Sequence, residues 1–368
     1  MDNTVWMALA FAGCPAMIGL LNLLCIRSAQ GRVPDRARVS ILIAARDAEA
    51  EIEACIAHAV GQIGIAVEVL VMDQGSRDRT AARVAAIAAR ESRVRLLTCP
   101  PPPPGWTATA HARARLAEAA LGTHLLFIEA GVRLEPHAAA ALAGQAARLR
   151  AGMVTGVPRQ RMLSAGEAVM GPMNNLLRMV WLPGGGRALT QLPALAAACG
   201  QMMLFSRTAY DRVGGHDAVR AAPRDGLALA RRMRAARLRT DMVDAAGLAS
   251  CRPHRGLAES WAALSRSGRD RMVAPVGVPL RATALGLAHL LPLALLPPGP
   301  AVLALLLMVA LRIGIAARAR EAWWTVPLHP LAMCVAMAAE WAALMRLARQ
   351  RGSTWKDRAH PAPGLAAP

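Results

Sequence analysis

The chain has 368 residues, 55% of them hydrophobic, and a formal net charge of +19. Soluble domains usually contain about 45 to 50% apolar residues, so the excess predicts segments that associate with a membrane. The charge does not indicate nucleic acid as a partner, because three Phe and one Tyr are too few to stack on bases, and anionic lipid head groups explain the attraction more simply.

The first predicted element is an apolar helix over Val5 to Ile26. Its length is close to the roughly twenty residues that a helix needs to cross the hydrocarbon core. Arginines from Arg27 onward follow it, and such a basic flank favours the cytoplasmic side. The segment lacks the basic start of a cleavable signal peptide. We therefore expect residues 1–27 to be an uncleaved anchor, with the N-terminus outside and the domain that follows in the cytoplasm.

Residues 38–255 alternate between short apolar runs and helical spacing, which is typical of βα units and a mostly parallel sheet. Two of the predicted strands end in carboxylates, at Asp73 and Glu129. Open α/β sheets bind ligands at the carboxyl ends of their strands, so we expect a site there. The predicted strands are Val39 to Ala44, Glu68 to Met72, Val94 to Leu97 and Leu125 to Ile128, with helices over Ala48 to Gly61 and Asp78 to Arg90.

The C-terminal part is predicted to return to the membrane. A basic juxtamembrane segment over residues 256–281 precedes residues 282–345, whose apolar runs predict two or three transmembrane helices. Arg312 lies inside one run, where we expect it to reach the cytoplasmic end or to face a neighbouring helix. Three crossings would place the basic tail, residues 346–368, outside, against the positive-inside tendency, so the number of crossings stays open.

The segment Met162 to Trp181 mixes apolar side chains with Arg161 and Arg178. This pattern is typical of an interfacial helix that brings a lipid to the sheet edge. A buried core helix would have the same pattern, so both interpretations stand.

Several short motifs follow one another along the chain. They are Ala44-Ala45-Arg46-Asp47, Val71-Met72-Asp73-Gln74-Gly75-Ser76, Pro103-Pro104-Gly105-Trp106, Phe127-Ile128-Glu129-Ala130-Gly131-Val132, Gly200-Gln201-Met202-Met203-Leu204-Phe205, Gly214-Gly215-His216, Arg224-Asp225 and Trp355-Lys356-Asp357-Arg358. In this order and spacing they resemble the motifs of the family 2 glycosyltransferases, especially the subgroup associated with hopanoid and carotenoid biosynthesis.

The resemblance implies an α/β fold of the GT-A type, a Rossmann-like nucleotide-diphospho-sugar transferase domain, flanked by N-terminal and C-terminal transmembrane helices. It implies inverting transfer of a sugar from a nucleotide-sugar donor to a lipid acceptor of the hopanoid or isoprenoid kind. The implied donor-binding residues are Ala45, Arg46, Asp47, Asp73, Gln74, Gly75 and Glu129. The implied acceptor-side residues are Gly200, Gln201, His216 and Trp355.

The resemblance also implies that Asp225 is the catalytic base, which takes the proton of the acceptor hydroxyl. Asp225 would equally suit the N-terminal cap of a helix that runs through Arg234. Asp73 has a structural alternative as well, as an Asx turn or helix cap before Asp78. The residues alone leave these alternatives open.

Three departures from the family pattern concern the diphosphate. Gln74 replaces the second aspartate of D-D-G-S, the usual lysine after P-P-G-W is missing around Ala108, and the metal-binding D-A-D has become Glu129-Ala130-Gly131. A bound Mg²⁺ or Mn²⁺ draws its affinity from anionic oxygens, so Glu129 predicts a weak metal site or none. Either the chain transfers sugar without the usual site, or it is a catalytically silent relative that binds a membrane lipid, a nucleotide or partner enzymes of lipid biosynthesis.

Overall fold

The computed structural model describes residues 3–181, 191–262, 277–294, 299–348, 353–355 and 358–360. Its main sheet is built from eight strands. In chain order they are β1 (Arg38–Ala45), β2 (Ala66–Asp73), β3 (Val94–Thr98), β4 (His124–Glu129), β5 (Val132–Leu134), β6 (Ala151–Gln160), β7 (Met202–Ser206) and β8 (Arg239–Cys251). A separate two-stranded ribbon consists of β9 (Ser353–Trp355) and β10 (Arg358–His360).

The strands of the main sheet lie in the order β3-β2-β1-β4-β7-β6-β8-β5. β1 is central and pairs in parallel with both β2 and β4, and a continuous apolar run is typical of a strand buried on both faces. The sheet is mostly parallel, as predicted, because β1, β2, β3, β4, β6 and β8 run in the same direction. β7 runs antiparallel to both β4 and β6, and β5 runs antiparallel to β8 at the edge.

Helices cover both faces of the sheet. Those of the α/β part are α2 (Ile52–Val60), α3 (Thr80–Ala88), α4 (Ala108–Ala119), α5 (Ala138–Leu149), α7 (Arg207–Arg212) and α8 (Asp225–Ala235). Side chains alternate along β1, so Ile41 and Ile43 pack with α2 on one face while Leu42 packs with Leu116 of α4 on the other. The two faces therefore carry two apolar cores, and the strand ends are left for the site.

A third apolar cluster lies among the terminal helices and α6. These helices are α1 (Asn3–Cys25), α6 (Ala165–Trp181), α9 (Gly277–His289), α10 (Leu291–Ala294), α11 (Gly299–Arg318) and α12 (His329–Ala348). Gly19 of α1 lies against Leu311 of α11, and Gly314 lies against Leu23, so the two helices run side by side in parallel. Within the described part of the chain, no helix combines the length and apolar character needed to cross a membrane. The predicted transmembrane helices at both ends are thus not confirmed.

Leu176 and Arg312 of this helical part both lie against other elements of the protein. Leu176 of α6 is buried in the third cluster, which fits the buried alternative for the segment Met162 to Trp181. Arg312 faces neighbouring polar groups, with Nη1 lying 2.7 Å from Oε2 of Glu321 and Nη2 donating to the Thr325 hydroxyl at 2.8 Å. The helices are joined to the sheet by Arg318, which lies 3.0 Å from Asp244 of β8.

Candidate functional site

The loops that follow β1 and β2 are held together by hydrogen bonds at the carboxyl edge of the sheet. The Gln74 N–H donates to the Ala45 carbonyl at 2.9 Å, and the Asp47 N–H donates to the Ser76 hydroxyl at 3.0 Å. The Asp47 carboxylate in turn accepts from the Arg77 N–H at 2.8 Å. The predicted donor residues of both loops therefore lie close together.

The Asp73 carboxylate is committed within its own loop. It accepts from the backbone N–H groups of Gly75 at 3.1 Å and Ser76 at 3.2 Å, and from the Ser76 hydroxyl at 2.5 Å. Gly75 makes this turn possible because its φ of 70° lies in the left-handed region that favours glycine. These contacts are those of the Asx-turn alternative. If Asp73 also binds the sugar donor, it does so while its carboxylate holds this turn.

The position of the family's metal motif offers few oxygen ligands. Glu129 ends β4 and is exposed, and its backbone N–H lies 3.3 Å from the Gln201 carbonyl oxygen. A Cβ at Gly131 would meet no atom within 4 Å, so this position is open space rather than a filled one. No group of three or more His, Cys, Asp or Glu able to hold a metal ion occurs among the described residues. Glycine and the amide of Gln74 stand where the family pattern has carboxylates, so of these three positions only Glu129 supplies an anionic oxygen.

Asp225 lies in a buried ion pair that sequence reasoning missed. Nη1 of Arg113, on α4, donates to both Asp225 carboxylate oxygens, at 2.8 and 2.9 Å. Nη2 of Arg113 donates to the carbonyl of Gly200 at 3.0 Å, just before β7. One guanidinium therefore connects α4, α8 and the loop that enters β7.

His216 and Tyr210 complete this buried group. The Tyr210 hydroxyl accepts from the His216 backbone N–H at 3.1 Å and lies 2.7 Å from His216 Nδ1. On the other side of the ring, His216 Nε2 lies 3.5 Å from Asp225 Oδ2. Burial lowers the pKa of His216, and the nearby Asp225 carboxylate offsets this only in part.

The Asp225 carboxylate is a weak proton acceptor in this arrangement. Burial alone would raise its pKa, but the Arg113 guanidinium and then His216 outweigh burial and hold the pKa well below its usual range. Asp225 Oδ1 also accepts from the Gly226 N–H at 2.7 Å at the start of α8. Arg224 is the N-cap residue of α8 and Asp225 is its first helical residue, so Asp225 is not the N-cap that the alternative interpretation predicts. Service as a base would require Arg113 to release it.

The remaining acceptor-side residues are only partly brought together. Gln201 accepts from the Gln160 amide at 3.2 Å, which joins the end of β6 to the start of β7. Trp355 lies in β9, in the separate ribbon, so no strand pairing joins it to the main sheet. Lys356 and Asp357 of the same motif lie outside the described residues.

One weak signal in the sequence pointed to Arg113, namely a charge between the alanines Ala112 and Ala114. Arg115 stands in the same setting, yet it forms an i,i+3 pair with Glu118 on the same helix. The two arginines differ only in which face of α4 they occupy. That face is decided by the packing of α4 on the sheet, so local pattern could not separate them.

The mixed α/β sheet, with its predicted donor loops at the carboxyl edge, defines the class as a nucleotide-sugar transferase-like fold. Residues 40–214 match the model of Glycosyl transferase family 2. The chain therefore contains a glycosyltransferase family 2 domain of the GT-A type. A search of the curated proteins found no match.

Solved structures with a similar fold include a mannosyltransferase, PcManGT from Pyrobaculum calidifontis, in complex with GDP-Man and Mn²⁺. It is 19% identical, with a TM-score of 0.54 over 95% of this chain and 100% of that one. Glucosyl-3-phosphoglycerate synthase from Mycobacterium tuberculosis is 17% identical, with a TM-score of 0.41 over 67% of this chain and 87% of that one. TarS from S. aureus is 10% identical, with a TM-score of 0.39 over 90% and 98%.

Proposed function

We propose that this protein transfers a sugar from a nucleotide-sugar donor to a membrane lipid of the hopanoid or isoprenoid kind, by inverting displacement. The observation that carries the proposal is the family 2 match over residues 40–214, in a domain whose β1, β2 and β4 loops meet at one sheet edge. Displacement at an anomeric carbon needs a bound diphosphate, a group that balances its charge, and a proton acceptor.

The donor assignment is supported by the fold. PcManGT, whose structure contains GDP-Man and Mn²⁺, shares this fold along nearly the whole chain. In the present chain the nucleoside would lie against the Ala45 to Asp47 loop and the Asp73 to Gly75 turn. The sugar and diphosphate would lie toward Glu129, and the acceptor would approach from the side of Gln201.

We further propose a location at the cytoplasmic membrane, multi-pass, with the family 2 domain in the cytoplasm. Support comes from apolar side chains left exposed on the terminal helices, including Leu24 at 80%, Leu306 at 60% and Leu331 at 52% exposure. Large exposed apolar patches mark surfaces that meet a partner or lipid. The acceptor would then enter from the bilayer beside α6, which packs against these helices.

A second candidate function rests on a specific observation. Asp225, the proposed base, is held in a two-fold hydrogen bond by Arg113 with a depressed pKa, while the carboxylates of the metal motif are absent. A catalytically silent relative that binds nucleotide, lipid or a partner enzyme needs neither an available base nor metal-binding carboxylates. The two candidates differ in turnover and not in fold.

The test is a transfer assay with the full chain in detergent or lipid nanodiscs. Nucleotide sugars are supplied singly together with a bacterial lipid extract, and glycolipid products are detected by mass spectrometry. Transfer that is lost in Asp225→Asn, but kept in the α8 surface variant Arg231→Gln, supports the enzyme with Asp225 as base. Nucleotide binding without product from any donor supports the silent relative, and absence of both binding and product rejects the enzyme and a nucleotide-binding relative alike.

A further inference from the structure

Arg161 has a charge that the described part of the protein does not balance. Its side chain is half-buried, and no hydrogen bond or ion pair joins its guanidinium to another described residue. Every other arginine that the structure describes as buried or half-buried has such a partner. Unpaired arginines elsewhere in the described structure are exposed, where water solvates them.

The position of Arg161 is fixed by backbone contacts at the carboxyl edge of the sheet. It follows directly after β6, and its N–H donates to the carbonyl of Cys251 at the end of β8, at 2.7 Å. The preceding residue, Gln160, donates to Gln201, whose carbonyl lies 3.3 Å from the Glu129 N–H. Arg161 therefore borders the same edge as the proposed donor loops.

Nearby charges do not remove the need for an anion. Arg252, which follows β8, pairs with Glu167 at 2.7 Å. Glu167 also accepts from the N–H groups of Leu163 and Gly256 at 2.9 Å, so its oxygens are occupied. A guanidinium partly removed from water loses solvation free energy, and a nearby anion offsets that loss. The planar guanidinium also suits the paired oxygens of a phosphate.

We propose that Arg161 binds the diphosphate of the donor and balances its charge in place of a divalent cation at the Glu129 motif. This inference rests on the proposed nucleotide-sugar function. In the transfer step, the bond between the anomeric carbon and the diphosphate oxygen breaks, and both electrons stay on that oxygen beside Arg161. The acceptor oxygen bonds to the carbon, and its proton passes to Asp225 or to solvent. No metal takes part in this balance of charge.

The test is calorimetric titration of the purified full chain with UDP, GDP and inorganic pyrophosphate, in EDTA and then in Mn²⁺. Arg161→Gln removes the charge and keeps most of the length. Arg90→Gln is the matched control, since Arg90 is an exposed, unpaired arginine between α3 and β3 at the opposite edge of the sheet. A lost charged hydrogen bond predicts a drop in affinity of roughly tenfold to a hundredfold for Arg161→Gln and none for the control.

The possible results distinguish the role of Arg161 from the proposed nucleotide-sugar function. Binding by the native chain in EDTA that falls in Arg161→Gln, with an unchanged melting temperature, supports both. Binding that needs Mn²⁺, or that is equal in Arg161→Gln, overturns the role of Arg161 and leaves the nucleotide-sugar function standing. No binding to a folded native chain in either buffer overturns both. If Arg161→Gln loses binding to vesicles that contain phosphatidic acid but keeps its nucleotide binding, Arg161 is assigned to a lipid phosphate and the proposal is overturned.

Discussion

Arg113 and Asp225 are 112 residues apart in the chain and meet through two hydrogen bonds from one guanidinium nitrogen. Both side chains are nearly excluded from solvent, at 7% and 10% exposure. The pair joins α8 to α4 beside the loop that enters β7. It also decides whether Asp225 is available as a base.

Removing either partner should destabilise the domain. Arg113→Ala or Asp225→Ala leaves an uncompensated buried charge, and we expect a loss of about 3 to 5 kcal/mol in the free energy of unfolding. The double variant should lose less than the sum of the two, because it leaves neither charge unpaired. Denaturant unfolding of the four proteins measures the coupling, and strictly additive losses would argue against a direct pair.

Arg113→Gln should change the pH dependence of sugar transfer. Since Arg113 lowers the pKa of Asp225, its removal should raise that pKa toward the ordinary value of 3.8 or beyond, because burial then dominates. The acid limb of the pH–rate profile should move to higher pH. Arg115→Gln is the control on the same helix, because Arg115 pairs with Glu118 instead. An unshifted acid limb in a folded Arg113→Gln protein would show that Asp225 is not the titrating base.

The Glu167 carboxylate should contribute stability that disappears in acid. Its hydrogen bonds with Arg252 lower its pKa from 4.5 to about 2. A depressed pKa means that the stabilisation is complete above 4.5 and is lost as the pH falls toward 2. Glu167→Gln should therefore be less stable than the native chain at neutral pH, and the difference should shrink over this interval. Thermal unfolding against pH measures it, with exposed Glu118→Gln as the control, and a constant difference would contradict the assignment.

Restoring carboxylates at the metal motif should create metal dependence. The Gln74→Asp, Gly131→Asp double variant supplies two anionic ligands beside Glu129, and the open space at Gly131 accepts the new side chain. We expect Mn²⁺ to raise its nucleotide affinity by about tenfold or more, while the native chain responds little. The Gln74→Asn, Gly131→Asn variant has similar shape without the charge. Equal metal responses in the two variants would show that these positions do not face the diphosphate.

The proposed topology can be tested by cysteine labelling in intact cells. A single cysteine placed at the exposed Ser92, in a background without other cysteines, should react only after the cytoplasmic face is made accessible. A cysteine at Asp2 should react from outside. Labelling of the Ser92→Cys chain from the external face would reverse the proposed orientation.

Local sequence was sufficient for the parts of the fold that depend on nearest neighbours along the chain. The apolar run over Val39 to Ala44 predicted a strand, and the four predicted strands occur as β1 to β4. The motif order predicted the family 2 domain, which the match to residues 40–214 confirms. Burial and spacing are encoded residue by residue, so these features needed no knowledge of distant contacts.

The roles of individual charges depended on partners that only the tertiary structure supplied. Local sequence does not reveal the partners of Arg113, Arg115 and Arg161. One pairs with Asp225, one with Glu118 on its own helix, and one with no described residue. The direction of β7 was likewise decided by pairing with β4 and β6. An ion pair or a strand register depends on which surfaces meet after the chain folds, and that information is spread over segments more than a hundred residues apart.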